Sequence, residues 1–332
     1  CGYEVTREYY LNDIGKQIEG LGESVLARAR EQSGRDAGGW TVAYAGAYIQ
    51  DVATAYREAG LPMEGKPHAA SLVSASDFAR RRLLQEILDL LGRAGIAFDT
   101  VTAESSYVSQ VDGLIEDYRR RDLLYEADFA EGTEEAKRRE DSKAAKHRED
   151  MQGGTFLRTT RFGDEIDRII LRRNGASTYF TTDILYHVDK FRRGFDRVID
   201  LWGADHGGHV RRMRAALAAA GIDGERLEIV LCQMVRLLRD GQEVKMSKRT
   251  GEMISLAELF DEVGVDASRF FFLVRTPSAQ CDFDLDVAVK QSAENPVYYC
   301  QYAHARTQQL LKKGEEHGLR PGEAELERLA HP

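Results

Sequence analysis

Lys245, Met246, Ser247 and Lys248 follow a predicted hairpin whose turn is Asp240 and Gly241, and Gly251 closes the run. Two compact cations three residues apart on a glycine-flanked loop can close over a polyphosphate and stabilise charge that develops on leaving pyrophosphate. The plainer alternative is a solvated basic turn. A second constellation comprises Gly203, Ala204, Asp205, His206, Gly207, Gly208 and His209, between a predicted strand and the next helix. In open α/β sheets ligands dock at the carboxyl ends of strands, where glycine lets a sugar or phosphate approach the backbone; Asp205 can then accept from ribose hydroxyls. The same residues also read as a helix cap at Asp205, or as half a metal site at His206 and His209. Neither Cys nor carboxylate partners stand at ligand spacing, so no structural metal is expected. Third, Tyr179 and Asp183 can face one ligand edge where a strand hands over to a helix. Asp183 can pair with a cationic substrate, bidentately if that substrate is a guanidinium, or it can merely favour the first turn of a helix.

These groups need a frame, and the periodicity of apolar residues predicts an α/β one. Residues 3–10, rich in β-branched and aromatic types, predict a strand, and Asn12 and Asp13 offer caps for a helix with Ile14, Ile18, Leu21 and Val25 on one face. Residues 31–67 carry Gly, Ala and Tyr without long periodicity and read as an inserted segment. A helix from about Asp77 displays Leu83, Leu84, Ile87, Leu88 and Leu91 and stops near Gly92; Ile96 to Phe98 predicts the next strand. Ile166 to Leu171, the turn Asn174 and Gly175, and Thr178 to Phe180 predict a hairpin. There follow a helix striped by Ile184, Val188 and Phe191, a strand over 198–202, a helix over 210–220 and a strand over 227–231. Strands alternating with helices predict a doubly wound parallel sheet. Ser255 and Glu258 form a capping box, Gly264 closes that helix, and helices are expected from Asp266 to Leu273 and over 295–313, so the last 75 or so residues read as all-helical.

Composition sets the outer limits. The 332 residues are 42% hydrophobic and 30% charged, enough apolar mass for one large core or two domains. Lys and Arg number 46 against 55 Asp and Glu, a net charge of −9, which argues against gripping DNA or RNA by bulk charge while leaving local basic patches open. No apolar run approaches the ~18 residues of a membrane span, and no secretory leader is evident. The four cysteines, Cys1, Cys232, Cys281 and Cys300, form no C-x-x-C pair; a reducing cytoplasm fits best. Glu131 to Asp150 holds seven acidic and six basic residues in twenty and reads as a solvated helix or loop.

Taken together the motifs resemble the class I aminoacyl-tRNA synthetases, and specifically the arginyl family. The resemblance rests on Tyr9, Tyr10, Leu11, Asn12, Asp13, Gly15 and Gln17; on Gly163, Asp164, Glu165, Asp167 and Arg168; and on Tyr179, Asp183, Ile184, Tyr186 and His187. It rests also on Gly203 to His206, on Lys245 to Lys248, and on Asn295 to Tyr299 with Gln301, Tyr302, Ala303, His304, Ala305 and Arg306. It covers nearly the whole chain and is poorest over 101–160. What it implies is a Rossmann-like nucleotide fold over 1–30, 75–105 and 176–255, a first insertion at 31–74, a second at 106–175, and the start of a helical anticodon-binding domain at 256–332. It further implies ATP-dependent activation of L-arginine and transfer to tRNA(Arg), with Mg2+ arriving as part of the ATP substrate. By the same resemblance Lys245, Ser247 and Lys248 bind the ATP phosphates, Lys248 stabilising the transition state. Gly203, Asp205 and His206 hold the ribose and substrate edge, Tyr179 and Asp183 line the arginine pocket, and Tyr302 and Arg306 face tRNA, core packing being the alternative for Tyr302.

One family signature, an H-x-G-H pair at the first helix of the nucleotide fold, is missing, since no His precedes His68. The chain also starts at Cys1 rather than Met, with Tyr3 already inside a predicted strand. The expectation is a central portion of a longer sequence that, by itself, binds ATP weakly and does not aminoacylate. Two other readings stay open: a non-catalytic tRNA-binding or regulatory descendant of a synthetase, and a nucleotidyltransferase of the same fold. The helical segment from Asn295 to Arg306 argues against the latter.

Overall fold

The computed structural model describes residues 2–128, 153–244 and 254–319. The charged run at 131–150 and the lysine loop at 245–251 lie outside them. The chain divides into two compact units, Cys1–Met234 and Val235–Pro332.

In the first unit β1 (Glu8–Leu11) pairs in parallel with β2 (Thr100–Ala103), joined by α1 (Lys16–Gln32), α2 (Ala47–Glu58) and α3 (Ala69–Arg93). The three helices share a core of Val25, Leu26, Trp40, Val52, Tyr56, Ala75 and Ala79. α1 approaches α3 closely because Gly22 has no side chain; a Cβ there would collide with Ser76. Three expectations change in this region. The first strand begins at Glu8, because Tyr3 and Val5 stay exposed with no neighbouring strand. The segment read as lacking long periodicity contains α2, whose Ile49, Val52, Ala53 and Tyr56 form a buried helical stripe. Ile96 is not in a strand: its amide closes the end of α3 on the Leu91 carbonyl at 2.9 Å, with Gly95 at φ 69°, and the strand starts four residues later.

Further on, α4 (Val111–Arg120) leads to β3 (Leu124–Ala127), β4 (Gly154–Leu157) and β5 (Arg168–Arg172), an antiparallel sheet in that order. The Asn174-Gly175 turn forms as expected and brings Leu171 opposite Ser177. Tyr179 and Phe180, however, are the first turn of α5 (Tyr179–Arg192) rather than a second strand. Hydroxyls decide this: Thr178 Oγ1 donates to Ile169 O at 3.1 Å and Thr181 Oγ1 to Ile170 O at 2.5 Å, tying the helix start to β5. Next come β6 (Val198–Gly203), α6 (His209–Ala219) and β7 (Leu227–Cys232), with β6 and β7 parallel from Val198↔Leu227 to Gly203↔Cys232. Tyr118, Leu157, Ile170, Ile184, Leu217 and Leu227 form the core under these elements.

The α/β class and its parallel β-α-β pairing are thus present. Among the described residues of the first unit the parallel ladders are the separate pairs β1–β2 and β6–β7, which leave their union in one doubly wound sheet unshown. Alternation of strands and helices dictates parallel pairing, whereas joining of pairs depends on contacts between elements distant in sequence.

The second unit opens with the hairpin of β8 (Val235–Arg239) and β9 (Gln242–Glu243), turned by Asp240 at φ 52° and Gly241 at φ 71°. The capping box at Ser255 starts α7 (Leu256–Val263), Gly264 at φ 83° ends it, and α8 (Val265–Leu273) follows. The expected all-helical tail is interrupted by β10 (Cys281–Asp284), parallel to β8. Its alternation buries Cys281 and Phe283 and leaves Asp282 outside to bind Arg236 at 2.7 and 2.8 Å. After α9 (Leu285–Val289), Asn295 caps α10 (Pro296–Glu316).

Candidate active site

α5 presents Tyr179 and, one turn on, Asp183. Tyr179 is 52% exposed, and its hydroxyl lies against Gly15, whose φ of 89° and missing side chain make room for it. The Asp183 carboxylate is partly buried and carries no hydrogen bond or ion pair among the described residues. Burial pushes its carboxyl up to about 6, helped by the negative Glu104 and opposed by the positive His187, Arg212 and Lys190.

Beneath it, Glu104 is 2% exposed and fully occupied: it accepts from Asn12 Nδ2 at 3.0 Å and Thr182 Oγ1 at 2.8 Å. Asp13 in turn accepts from Ser105 N at 2.9 Å and Ser105 Oγ at 2.6 Å. The end of β1 is thereby fastened to the end of β2. Tyr10 stacks on Tyr186, with ring centroids 4.2 Å apart; its buried hydroxyl has no partner among the described residues, and burial raises its pKa, with Asp183 and Glu104 adding to the effect.

The Gly203 to His206 motif sits at the carboxyl end of β6. A Cβ on Gly203 would press on the Asp205 carboxylate, whose exposed side chain can turn aside. Asp205 and His206 occupy a single 3-10 turn, exposed, with His206 Nε2 3.8 Å from Asp205 Oδ2. Asp205 is therefore not the cap of α6; Gly208 stands there. His209 packs edge-on against His206 with centroids 5.2 Å apart, and burial together with Arg212 and His206 lowers it to about 4, which keeps the ring neutral at physiological pH. Ring contacts lead back to α5 from His206 to Trp202 and from Trp202 to His187, each at 6.5 Å. Ring contacts thus connect the helix that bears Asp183 to the loop after β6.

Arg212 on α6 stacks on Phe180 at 5.6 Å and is coupled electrostatically to Asp183. In the second unit, Tyr302 and Arg306 meet on the exposed face of α10, Arg306 Nη1 donating to the Tyr302 hydroxyl at 3.1 Å. With 53% exposure Tyr302 is not a core residue. Asn295 instead is structural: its side chain donates to Ala288 O and Lys290 O, both at 2.9 Å, and accepts from Val297 N at 3.0 Å. Lys245, Ser247 and Lys248 lie outside the described residues. Among those residues no group of three or more His, Cys, Asp or Glu could hold a metal ion, and no helix is long and apolar enough to cross a membrane. Sequence reasoning missed Glu104, Tyr10, Arg212 and Asp200; the one available signal was that Glu104 and Asp200 are acidic residues inside or just after apolar strands.

Residues 138–275 match the family described as tRNA synthetases class I (R), catalytic domain. Over 322 residues the chain is 43% identical to an arginine–tRNA ligase of Syntrophotalea carbinolica, covering 96% of this chain and 54% of that one. The chain is similar over nearly its whole length to arginyl-type class I tRNA synthetases. It spans about half the length of the curated relatives it matches. An arginyl-tRNA synthetase structure from Campylobacter jejuni superposes with a TM-score of 0.78 at 34% identity, covering 96% of this chain and 64% of that chain. The Thermus thermophilus arginyl-tRNA synthetase, with a TM-score of 0.54 and 16% identity over 94% of this chain and 65% of that one, shares the fold. Tyr179, Asp183, Gly203 to His206 and Lys245 to Lys248 all fall inside the family match, whereas Asn12, Glu104, Tyr302 and Arg306 fall outside it.

Proposed function

We propose that this chain supplies the amino-acid-activating centre of an arginine–tRNA ligase. The observation that carries the reading is the Asp183 carboxylate, partly buried and without a hydrogen bond or ion pair among the described residues. A desolvated anion is costly alone and is stabilised by a cation of matching geometry, such as the planar fork of a guanidinium. Tyr179 walls that pocket. Gly203, Asp205 and His206, at the end of β6, hold the ribose of ATP, the exposed Asp205 accepting from its hydroxyls.

With both substrates seated, a carboxylate oxygen of arginine attacks the α-phosphorus of ATP, the bond to the bridging oxygen breaks, and pyrophosphate leaves as arginyl-adenylate forms. Lys245, Ser247 and Lys248 bind the phosphates, and Lys248 stabilises the charge that develops on the leaving group. Mg2+ enters with ATP. Arginine then passes to the terminal adenosine of tRNA(Arg), with Tyr302 and Arg306 on the tRNA-facing side of a helical domain that begins near residue 256. The nucleotide fold is drawn from 1–30, 75–105 and 176–255, interrupted by insertions at 31–74 and 106–175, and the enzyme works in the cytoplasm. The test is ATP–pyrophosphate exchange by the full-length protein against each amino acid, with and without tRNA. Exchange with arginine alone is expected; exchange driven by another amino acid, or none at all, overturns the reading.

A further inference from the structure

Behind the Asp183 pocket lie three buried ionisable groups that this chemistry leaves unused: His187, Lys190 and Asp200. His187 Nε2 is 2.6 Å from Asp200 Oδ2, and His187 Nδ1 is 2.7 Å from the main-chain oxygen of Asp183. Lys190 Nζ donates to the other Asp200 oxygen at 2.7 Å and packs 4.0 Å from the Tyr186 ring centroid. Burial alone would raise the Asp200 carboxyl, yet the ammonium of Lys190, which can only donate, faces one of its oxygens, and the neighbouring hydrogen bonds and charge outweigh burial and lower it to about 2. A main-chain carbonyl can only accept, and so can a carboxylate. Both His187 ring nitrogens must therefore donate, which only the imidazolium form does.

We infer that His187 and Asp200 are positioning residues for the Asp183 carboxylate. Asp200 on β6 pins the His187 imidazolium, which holds the Asp183 main chain one helical turn away and lends positive charge to its carboxylate. Asp200 stands three residues before Gly203, so the same clamp ties α5 to the strand that ends in the Gly203 to His206 loop. The inference rests on Asp183 being the arginine-binding group.

The consequence is a pH dependence with a definite sign. The charged groups coupled to Asp183 are His187 and Lys190 on its own helix, Glu104 after β2 and Arg212 on α6, while β1 contributes the neutral Tyr10. Without the His187 charge, burial and Glu104 keep the Asp183 carboxyl protonated to higher pH, and a guanidinium loses its counter-ion there.

The test compares the full-length wild type with His187→Gln, which can still donate to Asp200 but carries no charge, in arginine-dependent pyrophosphate exchange from pH 6 to 9. The arginine KM should rise about fivefold at pH 6 and about twofold at pH 7, as for a displacement of roughly one pH unit from a carboxyl near 6, and recover toward the wild-type value at pH 9, with the ATP KM unchanged. An unaltered arginine KM profile, or equal losses in the ATP KM and kcat at every pH, overturns the inference. A second measurement needs no variant. Nitrogen-15 NMR of the wild-type histidines should show one buried ring protonated on both nitrogens at neutral pH and lost in His187→Gln; a neutral tautomer for that ring also overturns it. Wild type without arginine-dependent exchange would instead refute the proposed function, leaving the NMR result to judge the clamp.

Discussion

Asn12 and Glu104, 92 residues apart in sequence, meet through a 3.0 Å hydrogen bond close to the Asp183 carboxylate. The Glu104 carboxylate is buried, and Thr182 at the start of α5 takes its other oxygen. One acidic side chain thus joins the end of β1, the end of β2 and the helix bearing Asp183.

Glu104→Ala should orphan both donors and destabilise the protein by about 2–3 kcal/mol, read from denaturant midpoints. Glu104→Gln keeps the shape and removes the charge. Because Glu104 raises the Asp183 carboxyl, the pH at which arginine binding is half lost should move downward in this variant. An upward movement would contradict the placement of these two groups.

Asp183 should trade stability against activity. Its carboxyl titrates near 6 in the folded chain, above the ordinary value of 3.8, so the folded state holds its proton more tightly and stability falls as pH rises from about 4 through 6. Asp183→Asn escapes that cost. Its thermal midpoint should match the wild type near pH 4 and exceed it at pH 7.5, by about 1–2 kcal/mol after allowance for partial exposure. In the same variant kcat/KM for arginine should fall on the order of 100-fold or more, about 3 kcal/mol, because a guanidinium loses its counter-ion. Arginine-dependent exchange at wild-type efficiency would remove Asp183 from the pocket.

Gly15→Ala places a methyl group on the Tyr179 hydroxyl at a backbone φ of 89°. The cost should be about 1–3 kcal/mol, part strain and part collision. Tyr179→Phe deletes the colliding atom, so the double variant should be less destabilised than the two single effects summed. Strict additivity in thermal melts would mean that the two residues do not touch.

Lys248→Ala should lower kcat while leaving the ATP KM nearly unchanged, since its proposed contact strengthens as pyrophosphate departs. A weaker ATP KM at constant kcat would move this lysine to ground-state binding.

Local chemistry made much of this protein legible in its sequence. The Asp240-Gly241 and Asn174-Gly175 turns, the Ser255 to Glu258 capping box and the strands at 198–203 and 227–232 all form as their residue types require, because each depends on neighbours within a few positions. The motifs carried the family resemblance in the same way, through spacing alone. Tertiary structure decided what long-range contacts control. Ile96 was drawn from a strand into a helix cap, Tyr179 was made helical by hydroxyls reaching back to β5, and Cys281 and Phe283 found a strand partner more than forty residues upstream in β8. The pocket divides likewise. Tyr179 and Asp183 stand out by their spacing, but the unpaired, desolvated state of Asp183 and the groups that set its charge do not. Glu104, Arg212 and the Asp200 clamp converge on it from three other elements, and electrostatic coupling follows distance in space, which a linear sequence does not contain.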